Sequence, residues 1–493
     1  MIVAAPSRPL RRSVPWLKVL AGIGIAFYLF VGAEVTAHVQ DPFEGLHVLV
    51  PITIALFPIC TFLTFRYPVI FPFGLYVLIT PIDALLAVSG VASIVKLIGM
   101  LAAGALVLRM LLIRRAVLPH KSWYFWAAFV VYASLSISWT PDFDAASTML
   151  TAIILLFVMM TILAIYPAKP LEFKFMLASV VVSGVAASIY SLAQYHAAPA
   201  LSSNVSAASG ALSRSSLDSN RLLLHGLSGS NVQDPNYLGG SFLLAIALAL
   251  AAVFYGRNIA LRLASAATVP PMIAAILATG SRSAFLAAVA IFGYFIVRSK
   301  YRVQALLATL SCLGLVAFFP TVLARLISYD FGTADGRTDI WRTGMHSFGD
   351  HWLFGAGIGS YGWSYDHNVL AVFQETFAGW DRPGHSVIFV ALNDYGIIGF
   401  SFVMLAWYFG FRQLKVIPKT HWMYGPRIGL EAGMLGLFIH MLLLDPFFVK
   451  YVWLAQSLPL VALNMYAPRA IRVGLRMPGP RRRLRTMQSA RGT

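Results

Sequence analysis

The chain has 493 residues, of which 59% are hydrophobic and only 11% are charged, and its mean hydropathy is +0.75. This composition excludes an ordinary water-soluble globular protein and predicts a polytopic membrane protein. The net charge of +18 does not indicate a nucleic-acid partner, because the cations lie at alternate ends of the apolar runs, as the positive-inside rule describes.

Apolar runs of about 20 residues, the length that crosses a bilayer core, recur about fourteen times. They are Trp16 to Ala37, Leu46 to Phe65, Tyr67 to Val88, Val91 to Leu112, Trp123 to Trp139, Met149 to Tyr166, Phe173 to Tyr195, Tyr237 to Tyr255, Leu263 to Thr279, Ala284 to Val297, Val303 to Pro320, Ser386 to Phe411, Ile428 to Leu444 and Phe447 to Tyr466. The sequence therefore predicts an all-α transmembrane bundle of about 12 to 14 helices. The first run is too long for the core of a signal peptide and should be a retained anchor.

Basic residues occupy every second connection and the C-terminal tail, which predicts that both termini are cytoplasmic. The predicted organisation is N-terminal transmembrane helices over 1–195, a translocated loop over 196–236, central transmembrane helices over 237–320, a large translocated loop with short helices over 321–385, C-terminal transmembrane helices over 386–466, and a basic cytoplasmic tail over 467–493. Cys60 and Cys312 each lie inside an apolar run, so we expect neither a disulfide nor a cysteine metal site.

The large loop is rich in glycine and aromatic residues, among them Trp341 and Tyr361. Aromatic faces stack on sugar rings, so this composition suits a glycan. The alternative is that these rings form an interfacial belt or pack the loop onto the bilayer surface.

Arg282 lies in a short connection on the side of the membrane where arginine is otherwise scarce, so it is not a topology signal. A guanidinium keeps its charge and presents donors suited to bidentate phosphate binding. Arg337 is a second candidate for the same phosphate, and Arg221 is a weaker third. Snorkelling to lipid headgroups is the alternative for Arg282.

His385 stands where the large loop meets the next apolar run, and a neutral imidazole there could take a proton from an incoming hydroxyl. A lone loop histidine is more often structural. The spacing of His346, His351 and His367 matches no metal-binding motif, so we predict neither a metal nor a cofactor.

Asp234-Pro235-Asn236 precedes an apolar run, where Asp234 and Asn236 could cap the helix or contact substrate. Charged or titratable groups within or at the ends of apolar runs also keep a transporter possible, because such groups face a bundle interior or a water-filled pathway. These are Glu34, Asp83, Lys96, Glu431, His440 and Asp445.

Together these residues resemble the superfamily of O-antigen ligases and Wzy-type polymerases, which are glycan transferases of the bacterial inner membrane. The resemblance extends from Arg221 to Gly399 and depends on the order of its motifs. They are Asp234-Pro235-Asn236, Ser281-Arg282-Ser283, Gly336-Arg337 followed by Trp341, Gly355-Ala356-Gly357-Ile358-Gly359, His385, and Asn393-Asp394-Tyr395-Gly396-Ile397-Ile398-Gly399.

The resemblance implies inverting, metal-independent transfer of a glycan from a polyprenyl diphosphate, usually undecaprenyl, to an acceptor hydroxyl on the periplasmic face. It implies that Arg282 and Arg337 bind the diphosphate and that His385 is the general base; it assigns no role to Asp234 and Asn236. The implied partners are the lipid-linked donor, a glycan or lipid A core acceptor, membrane lipids and other polysaccharide-assembly proteins.

A polymerase of O-antigen or exopolysaccharide repeat units is the leading interpretation, because the predicted number of helices exceeds that associated with the ligases. A ligase that attaches the glycan to lipid A core is the alternative. A transporter or flippase of lipid-linked glycans would need polar groups near the bilayer midplane, whereas Arg282, Arg337 and His385 all fall at one membrane surface. A structural scaffold would not need such a loop.

Overall fold

The computed structural model describes residues 57–86, 93–197, 224–225, 232–298, 302–314, 337–372, 384–445, 447–467 and 470–472. Several predictions concern residues outside these ranges: the anchor Trp16 to Ala37, Glu34, Arg221, most of the loop over 196–236, and the basic tail. The side chains of Arg337 and Cys312 also lie outside the described structure. Cys60 is a free thiol.

The described residues are predominantly helical, which agrees with the predicted all-α class. In chain order the helices are α1 Phe73–Ile79, α2 Ile94–Ile113, α3 Lys121–Ser136, α4 Phe143–Ile165, α5 Pro170–Ala197, α6 Pro235–Tyr255, α7 Ile259–Thr279, α8 Arg282–Arg298, α9 Arg302–Gly314, α10 Arg337–Asp350, α11 Tyr361–Val372, α12 Val387–Leu414, α13 Tyr424–Met441 and α14 Lys450–Tyr466. Residues 57–66 are also helical, and a 3-10 helix covers Thr80–Leu86.

Four short strands in the described part of the chain form two antiparallel pairs. β1 (Arg115–Val117) pairs with β4 (Ala470–Arg472), and β2 (Leu224–His225) pairs with β3 (Val232–Gln233). The first pair attaches residues 470–472 to the connection between α2 and α3.

Six described helices are long and apolar enough to cross a membrane, namely α2, α4, α5, α6, α7 and α12. Each coincides with a predicted run. The run Tyr67 to Val88 was wrong as one continuous helix, because it contains a turn, α1 and the 3-10 helix. Its prolines lack the amide hydrogen that a helix interior needs.

Three other predicted spans form helices that are shorter than the thickness of a bilayer core requires. α3, α8 and α14 have 16, 17 and 17 residues, which correspond to about 24–26 Å at 1.5 Å per residue. A bilayer core is about 30 Å thick, so these helices alone do not match its thickness.

α6 is the central helix of the bundle, because every residue from Leu238 to Ala251 is buried. A helix that is apolar on all sides is expected to be surrounded by others. α13 packs closely against it through glycines: a Cβ on Gly433 would lie 2.6 Å from Cδ1 of Leu244. Small residues let helix backbones approach, as is usual in membrane bundles.

The two ends of the bundle differ in charge. We call one the basic end; it contains the connections α2–α3, α4–α5, α6–α7 and α12–α13, and these connections with the adjoining helix turns carry most of the described cations. Glu431, whose side chain is fully buried, lies near this end and accepts hydrogen bonds from Arg427 Nε at 2.8 Å and from the Tyr294 hydroxyl at 2.5 Å. The opposite end contains the connections α3–α4, α7–α8 and α13–α14 together with α10 and α11, and we call it the α10–α11 end.

Candidate active site at the α10–α11 end

His385 lies in a tight turn that the protein holds from two sides. Its φ of 47° is left-handed, which is uncommon outside glycine, and it is half-buried. The carbonyl oxygen of the preceding Gly384 accepts a hydrogen bond from Trp341 Nε1 at 3.0 Å. A Cβ on Gly384 would lie 2.4 Å from Val390 and 3.0 Å from the Tyr361 ring, so only glycine fits before the histidine.

α10 and α11 pack together on the first turns of α12. The Tyr361 hydroxyl donates to the carbonyl oxygen of Ile340 at 2.9 Å, and Trp341 stacks on Phe389 with ring centroids 5.1 Å apart. Their small apolar core contains Ile340, Tyr361, Tyr365, Val369 and Val390. This core places α10 and α11 directly beside His385.

Trp341 and Tyr361, the predicted glycan contacts, support the His385 turn in this structure. Tyr361 is 4% exposed, and burial, followed by the nearby Asp394, raises the pKa of its hydroxyl. Both side chains already use their polar atoms within the protein. Direct contact of either ring with a glycan stays a prediction.

The glycine motif 355–359 fills a break in α12. Gly396, with φ 60° and ψ −169°, interrupts the helix, and the loop supplies replacement hydrogen bonds. The amides of Ala356 and Gly357 donate to the carbonyl oxygens of Asn393 and Asp394 at 2.7 and 2.9 Å. On the other side of the break, the amide of Ile397 donates to the carbonyl oxygen of Trp352 at 2.9 Å.

Glycine is required in this loop because two backbones touch. Gly355, Gly357 and Gly359 all have positive φ. A Cβ on Gly355 would lie 2.4 Å from the amide nitrogen of Tyr395, and one on Gly357 would lie 2.6 Å from Cα of Thr140. The motif therefore docks the loop against α12 and the α3–α4 connection.

Arg282 is the first residue of α8, immediately after a turn that the sequence builds with glycine and serine. Gly280 ends α7 with φ 61°, and Ser281 Oγ accepts from the amide of Ala284 at 3.4 Å. Within the described structure, Nε of Arg282 is buried and has no hydrogen-bond partner. The guanidinium therefore retains a donor for a ligand.

Asp234 caps α6, as one of the two sequence interpretations expected. Its Oδ1 accepts from the amides of Asn236 at 2.6 Å and Tyr237 at 3.4 Å, and Pro235 occupies the first turn. The first turn of α6 also lies against the Arg282 turn, since a Cβ on Gly239 would lie 2.9 Å from Cβ of Ala284.

Asp445 lies in the α13–α14 connection beside the same turn of α6. The Tyr237 hydroxyl donates to its carbonyl oxygen at 3.0 Å. Burial raises the pKa of the Asp445 carboxyl to about 7, although a hydrogen bond from the Phe447 amide partly opposes this effect. Sequence analysis noted Asp445 only as a charge between two apolar runs, because its burial depends on helices distant in the chain.

Asp394 is the second buried carboxylate at the α10–α11 end, and the sequence predicted no role for it beyond its motif. It is 0% exposed. Its oxygens accept from the Gly359 amide at 3.0 Å, the Ser360 hydroxyl at 3.1 Å and the Asn393 side-chain amide at 3.0 Å. The adjacent Asn393-Asp394 pair inside an apolar run was the only sequence signal of this network.

The predicted site residues fall into two groups at the α10–α11 end. The first contains Trp341, Tyr361 and His385, and the second contains Asp234 and Arg282 around the start of α6. The groups are joined through the α13–α14 connection, because Tyr237 of α6 binds the carbonyl oxygen of Asp445 and the ring of Phe447 lies 6.2 Å from that of Tyr395 on α12.

The structure describes the two other predicted arginines only in part or not at all, and it shows the contacts of two loop histidines. Arg337 is the first residue of α10, the helix that carries Trp341, and Arg221 lies outside the described residues. His346 bonds to Asn368 at 3.1 Å and His367 stacks on Trp363. Over the described ranges, no three His, Cys, Asp or Glu side chains converge as a metal site would require.

Residues 267–404 match a family model described as O-antigen ligase, which confirms the resemblance that the motifs predicted. The match begins inside α7 and ends inside α12. It includes Arg282, Arg337, the glycine motif and His385, and it leaves out Asp234 and Asn236. No curated protein matches the chain.

Proposed function

We propose, because residues 267–404 match the O-antigen ligase family, that this chain transfers a glycan from a polyprenyl diphosphate to an acceptor sugar hydroxyl. The carrying observation is that Arg282, with its buried and unpaired Nε, lies inside the matched region and at the same end of the bundle as His385. This transfer requires a cation that stabilises the leaving diphosphate and a base that takes the proton of the acceptor hydroxyl.

The donor diphosphate would bind at Arg282 and the N-terminus of α8. Arg282 supplies a permanent charge and planar donors, and a helix N-terminus favours anions. Arg337, at the start of α10, is the second proposed phosphate ligand and Arg221 the third. These donors would stabilise the diphosphate as its negative charge develops.

A small apolar groove on the same face of α8 as Arg282 matches the apolar chemistry of a lipid-linked donor. Phe285, Val289 and Phe292 line it on the face of α8 that also carries Arg282, since positions three, seven and ten residues apart share one helix face. The other wall is formed by Ile273 and Ile276 of α7 and Thr309 of α9. The apolar side chains that line this groove suit the hydrocarbon of a prenyl chain.

His385 would act as the general base. The acceptor oxygen attacks the anomeric carbon, its proton passes to the imidazole, and the bond between that carbon and the diphosphate oxygen breaks. A single displacement inverts the anomeric configuration. The guanidinium groups provide the charge stabilisation that a metal ion provides in other phosphate chemistry, so the proposed reaction is metal-independent.

We propose that the α10–α11 end faces the periplasm and the basic end the cytoplasm of a bacterial inner membrane, in agreement with the positive-inside rule. A repeat-unit polymerase remains the leading function, and the description of the matched family favours the ligase alternative. Transport is less favoured, because the half-buried Asp83 and the buried Glu431 are paired with Lys450 and Arg427 near the bundle ends.

The test is transfer by the purified protein from an undecaprenyl-diphosphate oligosaccharide, with products separated by size. His385→Ala should reduce turnover at least about 100-fold, since a positioned base contributes about 10² to 10⁴, while donor binding persists. His346→Ala is the matched control, because His346 is an exposed histidine of the same segment.

The products distinguish the alternatives. A histidine-dependent ladder identifies a polymerase, and a single glycan added to lipid A core identifies a ligase. Wild-type turnover in folded His385→Ala removes His385 as the base. Movement of intact donor between leaflets, without any transfer, would replace the proposal by transport.

A further inference from the structure

The carboxylate of Asp394 joins three separate pieces of chain. Asp394 belongs to α12, nine residues after His385, and its oxygens bind the amide of Gly359 and the hydroxyl of Ser360. Asn393 adds a donor to the same carboxylate and also donates to Ser364 Oγ at 3.2 Å. α12, the glycine loop and α11 therefore meet at one fully buried group.

A chain of contacts leads from this carboxylate to the histidine turn. Ser360 directly precedes α11, and its carbonyl oxygen accepts from the Ser364 amide at 2.8 Å, which begins the helix. Tyr361, the next residue, binds Ile340 of α10 and covers Gly384. Through these contacts, the start of α11 sets the positions of α10 and of the turn.

α10 in turn contacts the segment at the start of α12. Trp341 donates to the carbonyl oxygen of Gly384, one residue before His385, and Arg337 begins the same helix. A displacement of α11 would therefore move both the imidazole and the proposed phosphate ligand Arg337. Arg282 lies at the start of α8, outside this chain of contacts.

We propose that Asp394 is a positioning residue for glycan transfer, which holds the α10–α11 pair on α12 and thereby orients His385. This inference rests on the proposed function. Asp394 acts through Ser360, Tyr361 and Trp341, and it is itself too deeply buried to meet a substrate. Replacement of one carboxylate oxygen leaves a buried donor unpaired, which is costly in a dry interior.

Asp394→Asn is the most direct test, because it keeps the shape and removes one acceptor. A displacement of about 1 Å at a catalytic group can lower a rate by about 100-fold. We expect kcat to fall about 10- to 100-fold and KM for the donor to change less than kcat, since Arg282 keeps its place although Arg337 moves with α10. A loss of global packing would not separate kcat from KM in this way.

Two further variants sharpen the result. Ser360→Ala removes a donor to the same carboxylate, so its effect should not add to that of Asp394→Asn. Asp142→Asn is the matched control: Asp142 caps α4 at the same end of the bundle by accepting from the Ala145 amide at 2.9 Å, and asparagine caps helices equally well. Its turnover should equal that of the wild type.

Turnover is measured in nanodiscs beside amide hydrogen exchange over residues 355–361 and 384–390. A fall in kcat that exceeds any rise in donor KM, non-additivity with Ser360→Ala and faster exchange in both segments support the proposal. Wild-type kcat in folded Asp394→Asn, or a rise in donor KM without a fall in kcat, overturns it. If Asp394→Asn does not fold, Ser360→Ala decides by the same kcat and exchange criteria.

The exchange measurement separates this inference from the proposed function. If the wild type transfers no glycan from any donor, the proposed function fails. Hydrogen exchange alone then tests whether the contact of Asp394 with Gly359 and Ser360 orders the His385 turn. Faster exchange at 355–361 and 384–390 in Asp394→Asn than in Asp142→Asn would retain Asp394 as the group that orders the turn. Equal exchange would remove that role as well.

Discussion

Arg282 differs from the cations of the basic end because it is partly buried at the opposite end and keeps an unused donor. Charge alone does not describe its proposed role, since lysine carries the same charge without the planar fork. Arg282→Ala should weaken the binding of undecaprenyl diphosphate about 10- to 100-fold, as expected for hydrogen bonds to a charged group of about 1.5–3 kcal/mol. Arg282→Lys should recover only part of this loss.

Binding of undecaprenyl diphosphate to the purified variants, measured by calorimetry, checks this role. Arg342→Ala is the matched control, because Arg342 is an exposed arginine of α10 at the same end. Wild-type affinity in Arg282→Ala would show that snorkelling, rather than phosphate binding, explains the arginine.

The raised pKa of Asp445 predicts a dependence of stability on pH. Its carboxyl titrates at about 7 when folded, compared with about 3.9 in an unfolded chain, so the folded state binds the proton more tightly. The contribution to the free energy of unfolding is therefore complete below about pH 4 and is lost as the pH rises to about 7. Asp394, Tyr361 and Tyr237 are titratable groups that interact electrostatically with the Asp445 carboxyl.

Thermal unfolding in detergent between roughly pH 4 and pH 8 measures this slope. Asp445→Asn should flatten it, because the amide does not titrate. An identical slope in Asp445→Asn and the wild type would mean that other groups cause the dependence.

At the scale of elements, the glycine motif and the break in α12 form one unit. Gly355→Ala places a Cβ against the backbone of Tyr395 at a φ of +75°, and such strain costs on the order of 1–3 kcal/mol. The thermal midpoint of the purified protein should fall accordingly. Gly349→Ala should change stability by less than about 1 kcal/mol, because a Cβ there meets no atom within 4 Å. Equal midpoints for the two variants would contradict the docking role.

The sequence predicted the long apolar helices well, because hydropathy over about 20 residues measures what the bilayer selects. It predicted the cap at Asp234 for a similar reason, since capping is local. It did not reveal that α12 breaks at Gly396, because the residues that repair the break lie some forty positions earlier. Trp341 and Tyr361 suggested a glycan surface, and only tertiary packing shows that they support the histidine turn.

At the scale of the whole molecule, the charges are separated by end. Most described cations occupy the basic end, whereas the proposed catalytic groups and the two buried carboxylates Asp394 and Asp445 occupy the other. The order of motifs along the chain predicted the grouping of Arg282 and His385 at one surface. It did not predict Asp394 and Asp445 as members of that region, because their burial arises from packing among α6, α11, α12 and the α13–α14 connection.

The break at Gly396 also constrains how the protein is made. The loop that repairs it is synthesised before α12, yet the amide of Ile397 finds its partner, the carbonyl oxygen of Trp352, only after both have arrived. Lipid offers no substitute for a missing backbone partner. The hydrogen bonds that repair α12 can therefore form only after the glycine loop and α12 have both been synthesised and have come together.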